Sequence, residues 1–278
     1  MAYEVAQVDD DLRHSLGLQS IGFLKIRSKG EVIDPECSGS GTLVRLPGGR
    51  RGILTAAHVV DEVRKNNPVG IQHFTVEGAH GQMKVTFHES DYFVASGWGK
   101  GKDVPDLGFI RLCAPEIASL EARGCLFYDL EKPRPVTDDY RAGRSANYVV
   151  GVVGESMRQS ISEFSNGPIF SSTLLFLLSV NGLLHTDEHL TLTQQIPIHG
   201  EGNLPPNSYA GMSGGGLWMV SWGERCGETQ LDRKLLGVVF QERPDDEGNL
   251  SLIGHGLPDV FRYLLPEVER GLVARAGS

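Results

Sequence analysis

GMSGGGLWMVSW, residues 211–222, sets one serine among four glycines and runs directly into an apolar, strand-like segment. Glycines leave the backbone around the Ser213 hydroxyl free to take dihedrals that a Cβ would resist. Such a loop is either punctuation between strands or a device for turning amides inward beside a nucleophile. Because a strand and not a helix follows the serine, the segment belongs in a β architecture.

The composition agrees. Thirty-five glycines and 14 prolines in 278 residues imply many turns and an all-β fold. A 40% hydrophobic content with 22% charged residues is ordinary for a globular chain able to bury a core. Acidic side chains outnumber basic ones 35 to 26, for a net charge of −9. That sign repels phosphate backbones, so nucleic acid is not a favoured partner. The opening MAYEVAQVDDDLRHSLG has no basic stretch followed by an apolar core, so no export signal is expected. The longest apolar run, residues 168–184, contains Ser, Thr and Asn and reads as a buried strand, not a membrane span. Cys37, Cys113, Cys125 and Cys226 are scattered without CxxC spacing. They are expected as free thiols in a reducing, cytoplasmic setting, with no zinc site.

Along the chain, residues 1–18 form a polar N-terminal arm, with helical character expected through residues 9–19. Strand signals recur over 19–115, including the strand–turn–strand SGTLVRL-PGGRR-GILTAAHVV, in which HVVDEVRKN has room for one helical turn. Residues 116–147 are irregular and include EKPRPVTDDYRAGRS, a polar, proline-bearing stretch expected to link two units. Strands resume over 148–256. In 257–278, Val260, Phe261, Leu264, Leu265 and Val268 fall at helical spacing, with an interruption expected at Pro266.

A serine hydroxyl is a weak nucleophile unless a base takes its proton and a carboxylate holds that base in the right tautomer. Upstream, LTAAH (54–58) puts His58 just past a strand, and DLGFIRL (106–112) puts Asp106 at the head of another. Asp103 is the nearer rival for the acid, but it lacks the strand-head position. These two segments and GMSGGG, in the order His, Asp, Ser, resemble the trypsin/chymotrypsin-like serine proteases across roughly residues 20–262. The resemblance implies two six-stranded antiparallel β-barrels with a C-terminal helix and a peptide-binding cleft between the barrels. It implies Ser213 as nucleophile, His58 as general base and Asp106 as its orienting acid. The Gly211 and Ser213 amides would form the oxyanion hole, and no cofactor or metal is needed.

Two features depart from the secreted members. Met212 stands where they carry an aspartate that pairs with a newly cut N-terminus, so activation of that kind is not expected. Val59 follows His58 where they carry a bridged cysteine. By the same resemblance, Asn207 falls at the base of the specificity pocket, and LLGVVFQE (235–242) matches the substrate-pairing strand, so Phe240, Gln241 and Glu242 line the cleft. Glu242, Asp245 and Asp246 favour a basic substrate side chain.

Other motifs carry less. HTDEH (185–189) offers His185, Glu188 and His189, but its flanks read as a strand turn and no third ligand is evident. His255 reads as a surface-loop histidine near the pocket wall, and Cys226 as a bystander thiol. The expected activity is endoproteolysis of a protein or peptide substrate, as limited cleavage of a specific partner, with no membrane partner. An activating partner protein is possible. Two alternatives stay open: a restrained or non-catalytic peptide-binding module of the same fold, and an esterase. The α/β-hydrolase form of an esterase would need a helix after the serine and the histidine last in the chain.

Overall fold

A computed structural model describes residues 14–26, 37–74, 80–99, 104–130, 144–154, 158–161, 168–171, 174–179, 183–185, 190–192, 195–197, 208–225, 228–244 and 250–276. The first sheet contains β1 (Ser20–Lys25), β2 (Cys37–Arg45), β3 (Arg51–Thr55), β4 (Val69–Phe74), β5 (His80–Val85), β6 (Tyr92–Val94), β7 (Gly108–Arg111) and β8 (Tyr128–Asp129). Its order is β5-β4-β1-β2-β3-β7-β6, with β8 parallel to β2 and every other pair antiparallel.

The later strands are β9 (Arg144–Val152), β10 (Arg158–Ile161), β11 (Pro168–Ser171), β12 (Leu174–Ser179), β13 (Leu183–His185), β14 (Leu190–Leu192), β15 (Gln195–Pro197), β16 (Gly216–Arg225), β17 (Glu228–Pro244) and β18 (Leu250–Gly256). They form a second sheet of order β13-β14-β18-β17-β16-β9-β12-β15 and a separate β10–β11 ribbon. Each sheet therefore has eight strands where six were expected, and among the described residues the edge strands of neither sheet pair with each other. The two-residue β8 in the first sheet is an addition too brief to register as alternation. The run 168–184, expected as one strand, is divided among β11, β12 and β13.

Period-two alternation places these strands between separate cores. On one face of the first sheet, Ile21, Phe23, Leu43, Ile53 and Ile110 join Val85 of β5 and Tyr92 of β6 in one buried cluster. Strands from opposite ends of the sheet order share that interior, so the sheet is strongly curled. Its other face contributes Val44, Leu54 and Phe109 to a second cluster, shared with Tyr148, Val150, Trp218 and Val220 of the second sheet. Trp218 is fully buried and meets Tyr128 edge-on, with ring centroids 5.1 Å apart. A third cluster, of Val149, Met212, Leu217, Val239 and Leu252, lies on the opposite face of the second sheet. Strands with an apolar partner on each side read as near-continuous hydrophobic runs, as in the GILT of β3, which is buried throughout.

Three longer helices accompany the sheets among the described residues. α1 (Ala57–Lys65) runs nine residues, longer than the single turn expected, and buries Ala57, Val59, Val60 and Val63. α2 (Ala114–Glu121) and β8 fall within or against the stretch read as a linker; Leu120, Cys125, Tyr128 and Leu130 there are buried. α3 (257–276) stays helical across Pro266 where an interruption was expected. A wider turn at Val260–Leu264, in which the Leu265 amide donates to the Val260 carbonyl, precedes the proline. That π-type turn shifts the hydrogen-bond pattern just before the residue that has no donor. Val260, Leu264 and Val268 face the core, but Phe261 is 40% exposed, against the expectation from spacing. The four-residue step from 260 to 264 to 268 leaves position 261 off the buried stripe. Of the expected N-terminal helix, residues 14–17 form a helical turn. Cys113 and Cys125 are free thiols. Among the described residues no helix is long and apolar enough to cross a membrane.

Candidate active site

His58 enters on the first turn of α1, whose leading amides have no intrahelical acceptor. Asp106 supplies one. Its Oδ1 accepts the His58 main-chain N–H at 3.0 Å, and its Oδ2 lies 2.6 Å from His58 Nδ1. One carboxylate thus caps the helix and holds the imidazole. A carboxylate at a helix N-terminus is also favoured by the helix dipole. The Asp106 side chain is 13% exposed and that of His58 40%, so the acid is shielded while the ring reaches solvent. The loop before Asp106 is tied to α1 by Trp98 Nε1, which donates to Asp61 Oδ2 at 3.0 Å.

The Ser213 loop comes from the second sheet and docks on the first through Ser40 of β2. The Ser40 amide donates to the Ser213 carbonyl at 2.7 Å, and its hydroxyl donates to the Gly211 carbonyl at 2.6 Å. The same hydroxyl accepts the Val152 amide at 2.8 Å, and the Ser40 carbonyl accepts from Thr55 Oγ1 at 2.7 Å. Thr55 ends β3, three residues before His58, so these bonds bring the serine loop to the corner where α1 begins. Ser40 was not singled out in the sequence. Nothing in SGTLVRL marks it, because its partners are contributed by the other sheet.

Gly211 and Gly214 adopt φ of 97° and 86°, in the left-handed region where a Cβ is strained. The Ala210 carbonyl accepts the Gly154 amide at 2.8 Å. Since N–H and C=O of a trans peptide point in opposite directions, the Gly211 N–H faces away from Gly154. The amides of Met212, Gly214 and Gly215 are engaged by the carbonyls of Tyr209, Val239 and Met212. Among the described residues no such backbone partner takes the amides of Gly211 and Ser213. Those are the two donors expected to form an oxyanion hole.

The Ser213 hydroxyl donates to the Phe240 carbonyl at 3.4 Å and makes no hydrogen bond to His58 in this structure. Phe240 lies where the β17–β18 ladder shifts register between Val239 and Gln241, a bulge that re-aims the backbone. Phe240, Gln241 and Glu242 line a cavity of about 240 Å³ together with Ser213, Met212 and Leu252. Glu242 accepts the Ser208 hydroxyl at 3.0 Å and the Tyr209 amide at 2.6 Å. Burial, and then the Glu242 carboxylate, push the Tyr209 phenol above its ordinary value. Met212 is fully buried in the apolar cluster behind the serine. Asn207, Asp245, Asp246, Asp103, Cys226 and residues 186–189 lie outside the described residues. Among the described residues no group of His, Cys, Asp and Glu could hold a metal ion.

His255 is not a surface-loop residue. It is 5% exposed and belongs to β18, where the ladder continues to a Gly237–Gly256 pair. Its Nε2 accepts the Asp106 amide at 3.0 Å. The glycines around it suggested a loop; here they allow β18 to lie close against its neighbours. Comparison with protein-family models finds no match to this chain, and no curated protein matches it.

Proposed function

We propose that this chain is a chymotrypsin-like serine endopeptidase, its two sheets acting as two curled barrel units with the active site at their junction. The observation that carries the reading is the convergence at one corner of a His58–Asp106 pair, a Ser213 loop and two amides without backbone acceptors. In the proposed reaction Ser213 Oγ leaves Phe240 and attacks the scissile carbonyl carbon while His58 Nε2 takes its proton. Asp106 stabilises the resulting imidazolium, and the Gly211 and Ser213 amides receive the oxyanion. His58 then protonates the departing amine, and water repeats the sequence to release the acid. Met212 offers no carboxylate to a new N-terminus, so restraint by that route is not part of the proposal. The hydroxyl's bond to Phe240 favours a second reading, a restrained resting state that substrate or a partner protein releases.

The cavity beside Ser213 is apolar along Met212, Val239 and Leu252, with the Glu242 carboxylate on its wall. The donors Glu242 accepts from are neutral, and among the described residues no cation pairs with it. A half-buried carboxylate without a cationic partner among the described residues favours a Lys or Arg side chain of the substrate. A library of peptides cut from whole-cell protein is therefore expected to be cleaved after Lys or Arg. Glu242→Gln is expected to lower that preference about tenfold or more. Cleavage without Lys or Arg enrichment would remove the basic preference. A parent protein that turns over esters but no peptide would point to an esterase.

A further inference from the structure

One buried imidazole touches the candidate triad from outside. The His255 ring lies flat on Phe240, with centroids 4.3 Å apart and planes 15° from parallel. Phe240 is the residue whose carbonyl takes the Ser213 hydroxyl. On its other side the His255 Nε2 accepts the main-chain N–H of Asp106 at 3.0 Å. A ring nitrogen that accepts carries no proton, so the ring is the neutral tautomer with hydrogen on Nδ1. Nδ1 faces Asp259, on the first turn of α3, whose Oδ2 is 3.6 Å away. Asp259 and Asp106 are acidic residues among the described ones that face this ring, and Phe240 covers its plane.

The backbone at Asp106 depends on this contact. Pro105 has no N–H to donate, and the Leu107 amide is drawn back to the Pro105 carbonyl at 2.9 Å. The intervening Asp106 amide, which is partly buried, would lose this acceptor if His255 were apolar, a costly arrangement. The carboxylate has to aim one oxygen at the His58 amide and the other at Nδ1, so a small rotation of its backbone spoils both bonds.

We infer that His255 is a positioning residue for the triad: its neutral Nε2 fixes the Asp106 main chain, and its face fixes Phe240 beside the Ser213 hydroxyl. The inference rests on the peptidase reading for its kinetic role, and on geometry alone for the Asp106 bond.

The test compares the parent with His255→Phe, which keeps a stacking ring and loses the acceptor, and His255→Gln, which keeps an acceptor near the Nε2 position. Rates of fluorophosphonate labelling are followed with the folded fraction of each protein determined alongside. His255→Phe is expected to label about tenfold to a hundredfold more slowly per folded molecule. His255→Gln is expected to restore most of that rate. A merely structural role would lower the labelled amount and leave the rate of the folded fraction in place. The inference is overturned by a Phe variant with the parent's rate, or by a Gln variant as impaired as Phe. If the Phe variant does not fold, nitrogen NMR of the parent decides, since a protonated His255 Nε2 contradicts the inference and an unprotonated acceptor upholds it. A parent that takes no label would count against the peptidase reading, and the nitrogen measurement would then judge the His255–Asp106 bond separately.

Discussion

Asp106→Asn is expected to slow fluorophosphonate labelling of Ser213 by about 10⁴-fold, the effect typical of this exchange in a Ser-His-Asp arrangement. The fold should be nearly unaffected. The asparagine carbonyl oxygen can still accept the α1 amide that Asp106 Oδ1 accepts now, so the helix keeps its cap. The amide nitrogen then occupies the place of Oδ2, 2.6 Å from His58 Nδ1. Two donors cannot share that contact, so the ring takes the tautomer with hydrogen on Nε2. That nitrogen then has no lone pair for the serine proton. Labelling rates and thermal melts of the two proteins check this. A variant labelled within tenfold of the parent, and melting with it, would mean that Asp106 serves α1 and not the chemistry.

Gly214→Ala should be the most damaging small substitution in the serine loop. Gly214 has φ of 86°, and a Cβ built there would press into both the Ser40 carbonyl oxygen and the Thr55 hydroxyl. Those two groups are bonded to each other at 2.7 Å and belong to the first sheet. The added methyl therefore strains the backbone and also pushes the loop off its docking strand. A loss of about 3 kcal/mol or more is expected, lowering the melting temperature by about 6 °C or more, with labelling abolished. Gly49→Ala is the control, because Gly49 has a similar φ of 80° with open space around it. That change should cost only the dihedral strain, about 1–2 kcal/mol. Equal melting temperatures for the two variants would show that the close approach at Gly214 does not matter.

The contrast between these positions shows what could be read from the chain. His58, Asp106 and Ser213 each sit in a short segment whose pattern is local, a strand end or a glycine turn, and local pattern survives in sequence. The strand-rich class and the terminal helix are legible for the same reason. Ser40 and His255 are different. Ser40 matters because Gly211 and Val152 reach it from the other sheet. His255 matters because β18 runs past Asp106. Neither juxtaposition leaves a mark within ten residues of the side chain concerned. The flanking glycines of His255 pointed the wrong way, since glycine signals a turn and a close-packed strand equally well. Phe261 shows the complementary limit: an apolar residue next to a buried stripe need not lie on it.

The central claim, that Ser213 is an activated nucleophile, is tested most directly by intact mass after fluorophosphonate treatment of the parent, Ser213→Ala and His58→Ala. The account predicts one adduct on the parent, mapped to Ser213, none on Ser213→Ala and a greatly slowed reaction for His58→Ala. An adduct that persists in Ser213→Ala, or a parent that stays unlabelled with substrate peptides and candidate partner proteins added, would contradict it.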